Sequence, residues 1–251
     1  MPPRFGCLDL NNWAKSIPTI EGYGTETLTL KGVRIVEAHM EVEDDPADAL
    51  LPKTMHPAVP AYAIFNVTSY PESPFGPFAV AEIRIAGRTG VRPRGHVLRS
   101  YVNNEAAAKE LAARWGYPVA AGEVSVVVRH DRVIGRAAVG GKTVMEIEEL
   151  DRDSISGGDI QYIASMHLCR NKGDGKPVLI QVDPEYVFAR AERGRPRVVT
   201  LDAAAFRADG HLNVRWPIAA TYAVADVTLP KLRYVCNPEL PALQGTTKVA
   251  A

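Results

Sequence analysis

The chain has 251 residues, 46% of them hydrophobic, with 29 Lys plus Arg against 29 Asp plus Glu and a formal charge of zero. That balance excludes a whole-molecule field drawing in nucleic acid or an anionic membrane surface, and the length suffices for a single domain over 1–251 with a substantial core. Cys7, Cys169 and Cys236 are isolated and odd in number, which excludes closely spaced zinc or redox pairs and fits a reducing cytoplasm.

The first residues, Met1-Pro2-Pro3-Arg4, open no apolar stretch of signal-peptide length, and no later run approaches the ~20 residues that cross a bilayer. Alternation predicts strands over 33–42, 61–69 and 78–86, with a rigid loop at Pro52, Pro57 and Pro60. A one-turn helix is expected over 47–51 and an Arg-rich loop over 87–95. After a short strand over 99–103, Asn104 caps a helix over 105–115 that Gly116 stops. Segments 124–130, 133–139 and 143–150, joined by Asp131-Arg132 and Gly140-Gly141, read as three adjacent antiparallel strands. A polar loop over 151–158 then leads to strands over 160–168, 178–189, 197–201 and 218–229, and 237–251 is expected as a flexible tail. No repeat or low-complexity linker divides the chain.

Four segments carry a family resemblance. Trp115-Gly116-Tyr117-Pro118, preceded by Lys109-Glu110-Leu111, resembles the turn that introduces the catalytic lysine pair of acetoacetate decarboxylases. Ser73-Pro74-Phe75-Gly76-Pro77-Phe78 is similar to that family's Ser-x-x-Gly-x-Tyr turn, and Tyr101-Val102-Asn103-Asn104-Glu105 to its Tyr-x-Asp-Asn-Glu. Ala225-Asp226-Val227-Thr228-Leu229-Pro230 resembles its C-terminal Ala-Asp-x-x-Leu-Pro strand. The resemblance implies a mainly β (α+β) fold, a closed or nearly closed antiparallel β-barrel or cone with a few helices, in a cytoplasmic homo-oligomer acting on a small molecule.

It also implies where the chain departs from the pattern. Val119 and Ala120 stand where the family places its two lysines, one of which forms an imine with the substrate ketone while the other perturbs it. Val80 stands where the family places a carboxylate. An imine-forming decarboxylation is therefore not expected of this chain.

Along 78–86, Phe78, Val80, Glu82 and Arg84 share one face, and Ala79, Ala81, Ile83 and Ile85 the other. Alternation alone favours a solvated Glu82 and Arg84 over an apolar inner face. The resemblance instead turns Val80 inward, and Glu82 and Arg84 with it, as candidate acid–base and anion-clamping residues. Trp115, Tyr117, Val119 and Val80 are then candidate pocket walls.

His39, His56, His96, His130, His167 and His211 are scattered without metal-ligand spacing, so no metal and no cofactor is expected. His167, in phase with Gln161, Ile163 and Ser165, is either a pocket residue or a satisfied core histidine. Lys109 reads as a surface helix residue, and Gly140-Gly141 and Gly157-Gly158 as turns rather than phosphate loops. Three functions follow: an enzyme working without an imine on a keto acid or related metabolite, as lyase, hydratase, isomerase or hydrolase; a non-catalytic small-molecule-binding protein; or a decarboxylase using a different group.

Overall fold

The computed structural model describes residues 4–249. Sixteen strands form one largely antiparallel sheet whose main path runs from the strand Thr246–Lys248 at one end to Glu123–Val128 at the other. At its centre lie Leu28–Val42, Tyr62–Tyr70, Phe78–Thr89 and Arg92–Val102, each antiparallel to the next. Strongly twisted sheets of this size curl on themselves, and here the strand Arg132–Val139 folds back over the centre. A Cβ on Gly135 would lie only 2.8 Å from side-chain atoms of Val36 and Val67, so glycine is what permits that approach. The two terminal strands do not pair, so the sheet is not closed, and the barrel or cone expected from the sequence is an open, curled sheet.

Several expected boundaries move. The loop expected over 87–95 is a hairpin: Gly87 pairs with Arg94 and Thr89 with Arg92, around Gly90 at φ 62. Three arginines and Pro93 mark a polar segment, but its backbone pairing continues to the turn. The polar loop expected over 151–158 is instead strand to Ser154, because Asp153 and Ser154 pair with Arg193 and Glu192. The strand expected over 178–189 splits into Pro177–Val182 and Glu185–Leu201, since Asp183-Pro184 cannot continue the ladder. The three-strand meander forms as Glu123–Val128, Arg132–Val139 and Lys142–Ser154. Within the stretch 237–249, Thr246–Lys248 pairs with Tyr234–Cys236, and positions 250 and 251 lie outside the described residues.

Glu105–Trp115 is the longest helix. Asn104 caps it by accepting from the Ala107 amide at 3.0 Å, and Gly116 ends it at φ 63. Its buried residues Ala107, Leu111 and Trp115 join a core that also contains Phe78, Val80 and Tyr117. Ala79, Ala81, Ile83 and Ile85 enter a second core on the opposite face. The strand Phe78–Thr89 is thus buried on both sides, which is why alternation alone misplaces its charged face. No helix among the described residues is long and apolar enough to cross a membrane.

A carboxyl away from the central strands bears on stability. Glu149 is fully buried, and neither of its oxygens has a hydrogen-bond partner among the described residues. Burial, with the nearby Glu192 adding to it, outweighs Arg152 and a backbone contact at Tyr222 that falls short of a hydrogen bond, and pushes its pKa from 4.5 up to about 7. The fold therefore prefers the neutral acid, and this contribution is complete below pH 4.5 and lost as pH rises through 7. The shift corresponds to at most about 3 kcal/mol. Glu149→Gln, already neutral, is expected to flatten the fall in Tm between acidic and mildly alkaline pH; thermal melts showing an unchanged fall would contradict the assignment.

Candidate active site

A single register row crosses five strands at the site. Glu37 pairs with Asn66, Asn66 with Glu82, Glu82 with Ser100, and Ser100 with Val119. Directly opposite residues share a face, so segments far apart in sequence align their polar side chains. Glu82 accepts from Arg84 Nε at 2.6 Å and from Ser100 Oγ at 2.9 Å. Glu37 accepts from Asn66 Nδ2 at 3.0 Å, lies 3.4 Å from Arg84 Nη1, and meets His39 Nε2 at 3.1 Å. Thr68 Oγ1 in turn donates to Asn66 Oδ1 at 3.0 Å.

Arg84 therefore sits between two buried carboxylates. Opposite it, the register shifts between Ile83 and Arg84, leaving Leu98 of the neighbouring strand as the extra residue. Gly95 makes room for Arg84: a Cβ there would come within 3.0 Å of Arg84 Cβ and 3.2 Å of its Cδ. Burial works against the guanidinium charge, but Glu82 and Glu37 outweigh it, and the Arg84 pKa is raised. For Glu37 burial pushes the carboxyl up, while the His39 hydrogen bond and Arg84 prevail and pull it down. A pair satisfied in this way can stay charged inside a protein.

Glu82, Arg84 and Glu37 line a cavity of about 30 Å³, closed further by Val80, Tyr117 and Tyr186. That is room for roughly one or two waters, so a larger ligand enters only when side chains move. Tyr70 also lines it, and burial raises the pKa values of Tyr70, Tyr117 and Tyr186. Their phenols stay protonated and present neutral donors to the same space as the guanidinium. Such an arrangement suits a substrate that develops negative charge on oxygen: a carboxylate can take a proton while donors hold the resulting enolate.

The structure brings Val80, Glu82, Arg84 and Tyr117 together on the cavity wall and sets Trp115, Val119 and His167 behind it. Trp115 is fully buried and donates from Nε1 to the Pro230 carbonyl at 2.8 Å. His167 donates from Nδ1 to the Trp115 carbonyl at 2.6 Å and packs its ring 4.2 Å from that of Tyr117. Burial lowers its pKa to about 4, so the imidazole is neutral, and its Nε2 has no partner among the described residues. The Val119 amide donates to the Tyr117 carbonyl at 2.8 Å. His167 and Val119 contact Tyr117 directly, and Trp115 anchors the helix end that precedes it.

Sequence reasoning missed Glu37, Asn66, Thr68, Tyr70 and Tyr186. Glu37 had a usable signal, being in phase with Val33 and Ile35 on one strand. Asn66, Thr68 and Tyr70 share one face of Tyr62–Tyr70, but which face turns inward depends on its register with Phe78–Thr89, and Tyr186 comes from a strand paired elsewhere in the sheet.

All nine lysines are exposed, and none lines the cavity. An imine-forming lysine needs burial or a neighbouring cation to lower its pKa, and no lysine here is buried. Treatment with acetoacetate and borohydride is expected to leave the intact mass unchanged; a stoichiometric adduct on any lysine would contradict this. Among the described residues no three His, Cys, Asp or Glu side chains cluster as metal ligands.

The family model for acetoacetate decarboxylase (ADC) matches residues 16–237. No curated protein matches the chain significantly. Among solved structures, the acetoacetate decarboxylase of Legionella pneumophila subsp. pneumophila str. Philadelphia 1 aligns with a TM-score of 0.70 at 16% identity, covering 83% of this chain and 86% of its own. The enduracididine biosynthesis enzyme MppR complexed with pyruvate aligns at 0.66 and 15% identity, covering 82% and 88%. An acetoacetate decarboxylase-like enzyme from Sphingomonas wittichii RW1 aligns at 0.62 and 16%, covering 82% and 92%. Likeness at these identities carries the fold alone.

Proposed function

The chain belongs to the acetoacetate decarboxylase family, whose model spans residues 16–237, and we propose that it is an imine-free member acting by proton transfer on a keto acid or related carbonyl metabolite. One observation carries this reading: buried Glu82 and largely buried Arg84 form a pair, 2.6 Å apart, facing a small, partly enclosed cavity whose lining contains no lysine. Glu82 takes or returns the proton on the carbon beside the carbonyl. Arg84, with the phenols of Tyr70, Tyr117 and Tyr186, holds the oxygen as it becomes an enolate. Ser100 and Asn66 keep the carboxylates oriented, and Glu37 with His39 sets the charge around the guanidinium.

Arg84 already faces two carboxylates, so the site favours a substrate that offers it a carbonyl oxygen rather than a third full anion. Proton removal beside a carbonyl is the first step of isomerisation, of dehydration and of aldol addition, and it is measurable without knowing the last. Solvent deuterium uptake at the carbon next to the carbonyl, followed by NMR with acetoacetate or pyruvate as probes, tests it. Exchange faster than buffer is the expected result. Saturable binding of either probe without exchange would support a silent binding protein instead.

A further inference from the structure

A groove of about 720 Å³ opens outside the cavity, and only Pro184 lines both. Arg92 and Arg94, two residues apart at the start of Arg92–Val102, both line it. Arg94 is 7% exposed. Its Nη1 donates to the Pro93 carbonyl at 2.7 Å, its buried Nε has no partner, and no carboxylate among the described residues pairs with it. Burial lowers its pKa, with Asp183 opposing and Arg92 adding to the fall. A buried, unpaired guanidinium is destabilising, and an arriving oxyanion offsets that with charge-assisted hydrogen bonds.

The surroundings favour the same ligand. Arg92, Lys231 and Arg233 join Arg94 on the lining against Asp183 and Glu185, a formal excess of two positive charges from four cations and two anions. Lys231 is held by Glu26 at 3.0 Å, whereas Arg92 and Arg233 have no ion pair among the described residues. The volume falls within the usual range for small-molecule sites and exceeds what a bare oxyanion fills. Tyr234 and Leu243, 41% and 94% exposed, supply apolar surface along the groove.

We propose that this groove is a second ligand site, taking a small molecule that carries an oxyanion, with the oxyanion on Arg94 and an apolar portion along Tyr234 and Leu243. The site does not depend on the reaction assigned to the inner cavity.

Calorimetric titration of the full chain with inorganic phosphate and, separately, citrate tests it. One salt-sensitive site per chain is expected, with tighter phosphate binding pointing to a phosphate ester and tighter citrate binding to a polycarboxylate. Arg94→Gln should weaken binding roughly tenfold or more while leaving circular dichroism and the cavity's deuterium exchange unchanged. Should that variant fail to fold, Arg92→Gln combined with Arg233→Gln is expected to give a comparable loss by stripping the two unpaired rim cations. Absence of heat with both anions, undiminished affinity in the variants, or sedimentation showing a second copy of the chain occluding the groove without anion would overturn the proposal.

Discussion

Glu82→Gln is expected to slow deuterium uptake by roughly 10²–10⁴-fold, the usual contribution of a positioned general acid–base group. Glutamine keeps the size of the side chain and can still accept from Ser100 Oγ, which donates to Glu82 at 2.9 Å. What it loses is the ability to take a proton and the charge that holds Arg84 at 2.6 Å. The loss should fall mainly on kcat, since carbonyl binding rests on Arg84 and the phenols. A variant that binds the probe normally and exchanges at the wild-type rate would remove Glu82 from the reaction and shift attention to Glu37, the other buried carboxylate on the cavity wall.

Arg84→Met is expected to destabilise the fold by about 3–5 kcal/mol, or roughly 10 °C in Tm. Deleting the guanidinium leaves Glu37 and Glu82, each 2% exposed, facing one another with no cation between them. Uncompensated buried charge, rather than the lost contacts, dominates that cost. Adding Glu82→Gln to Arg84→Met should therefore recover part of the stability, a coupling read directly from a double-mutant cycle. Additive losses would show that the two side chains do not act as a pair.

The sequence makes the local features of the fold legible and leaves the long-range ones hidden. Asn104 and Gly116 bracket the helix Glu105–Trp115 because capping and left-handed backbone are properties of single residues. Gly140 and Gly141, both at positive φ, mark the meander turn for the same reason. Pairing across Gly87–Thr89 and Arg92–Arg94 is not legible, since an Arg-rich, Pro-containing segment looks like a loop whether or not its backbone is paired. The site divides in the same way. Glu82 and Arg84 follow from two-residue periodicity once the inward face is known, but which face is inward comes from the family resemblance, because both faces of that strand are buried. Glu37 and Asn66 come from strands whose register toward Phe78–Thr89 no local pattern encodes, and Tyr186 from a strand that does not pair with Phe78–Thr89 at all.

The family reaction depends on a lysine, whereas proton transfer through Glu82 and Arg84 needs none. Deuterium uptake by a probe keto acid, measured before and after the protein has been incubated with acetoacetate and borohydride and then desalted, sets the two mechanisms against each other most directly. Proton transfer through Glu82 and Arg84 predicts exchange above buffer at the same rate in both samples. Exchange present beforehand and abolished by the treatment would reveal a reduced imine on a lysine and contradict the imine-free mechanism, as would exchange no faster than buffer in the untreated protein.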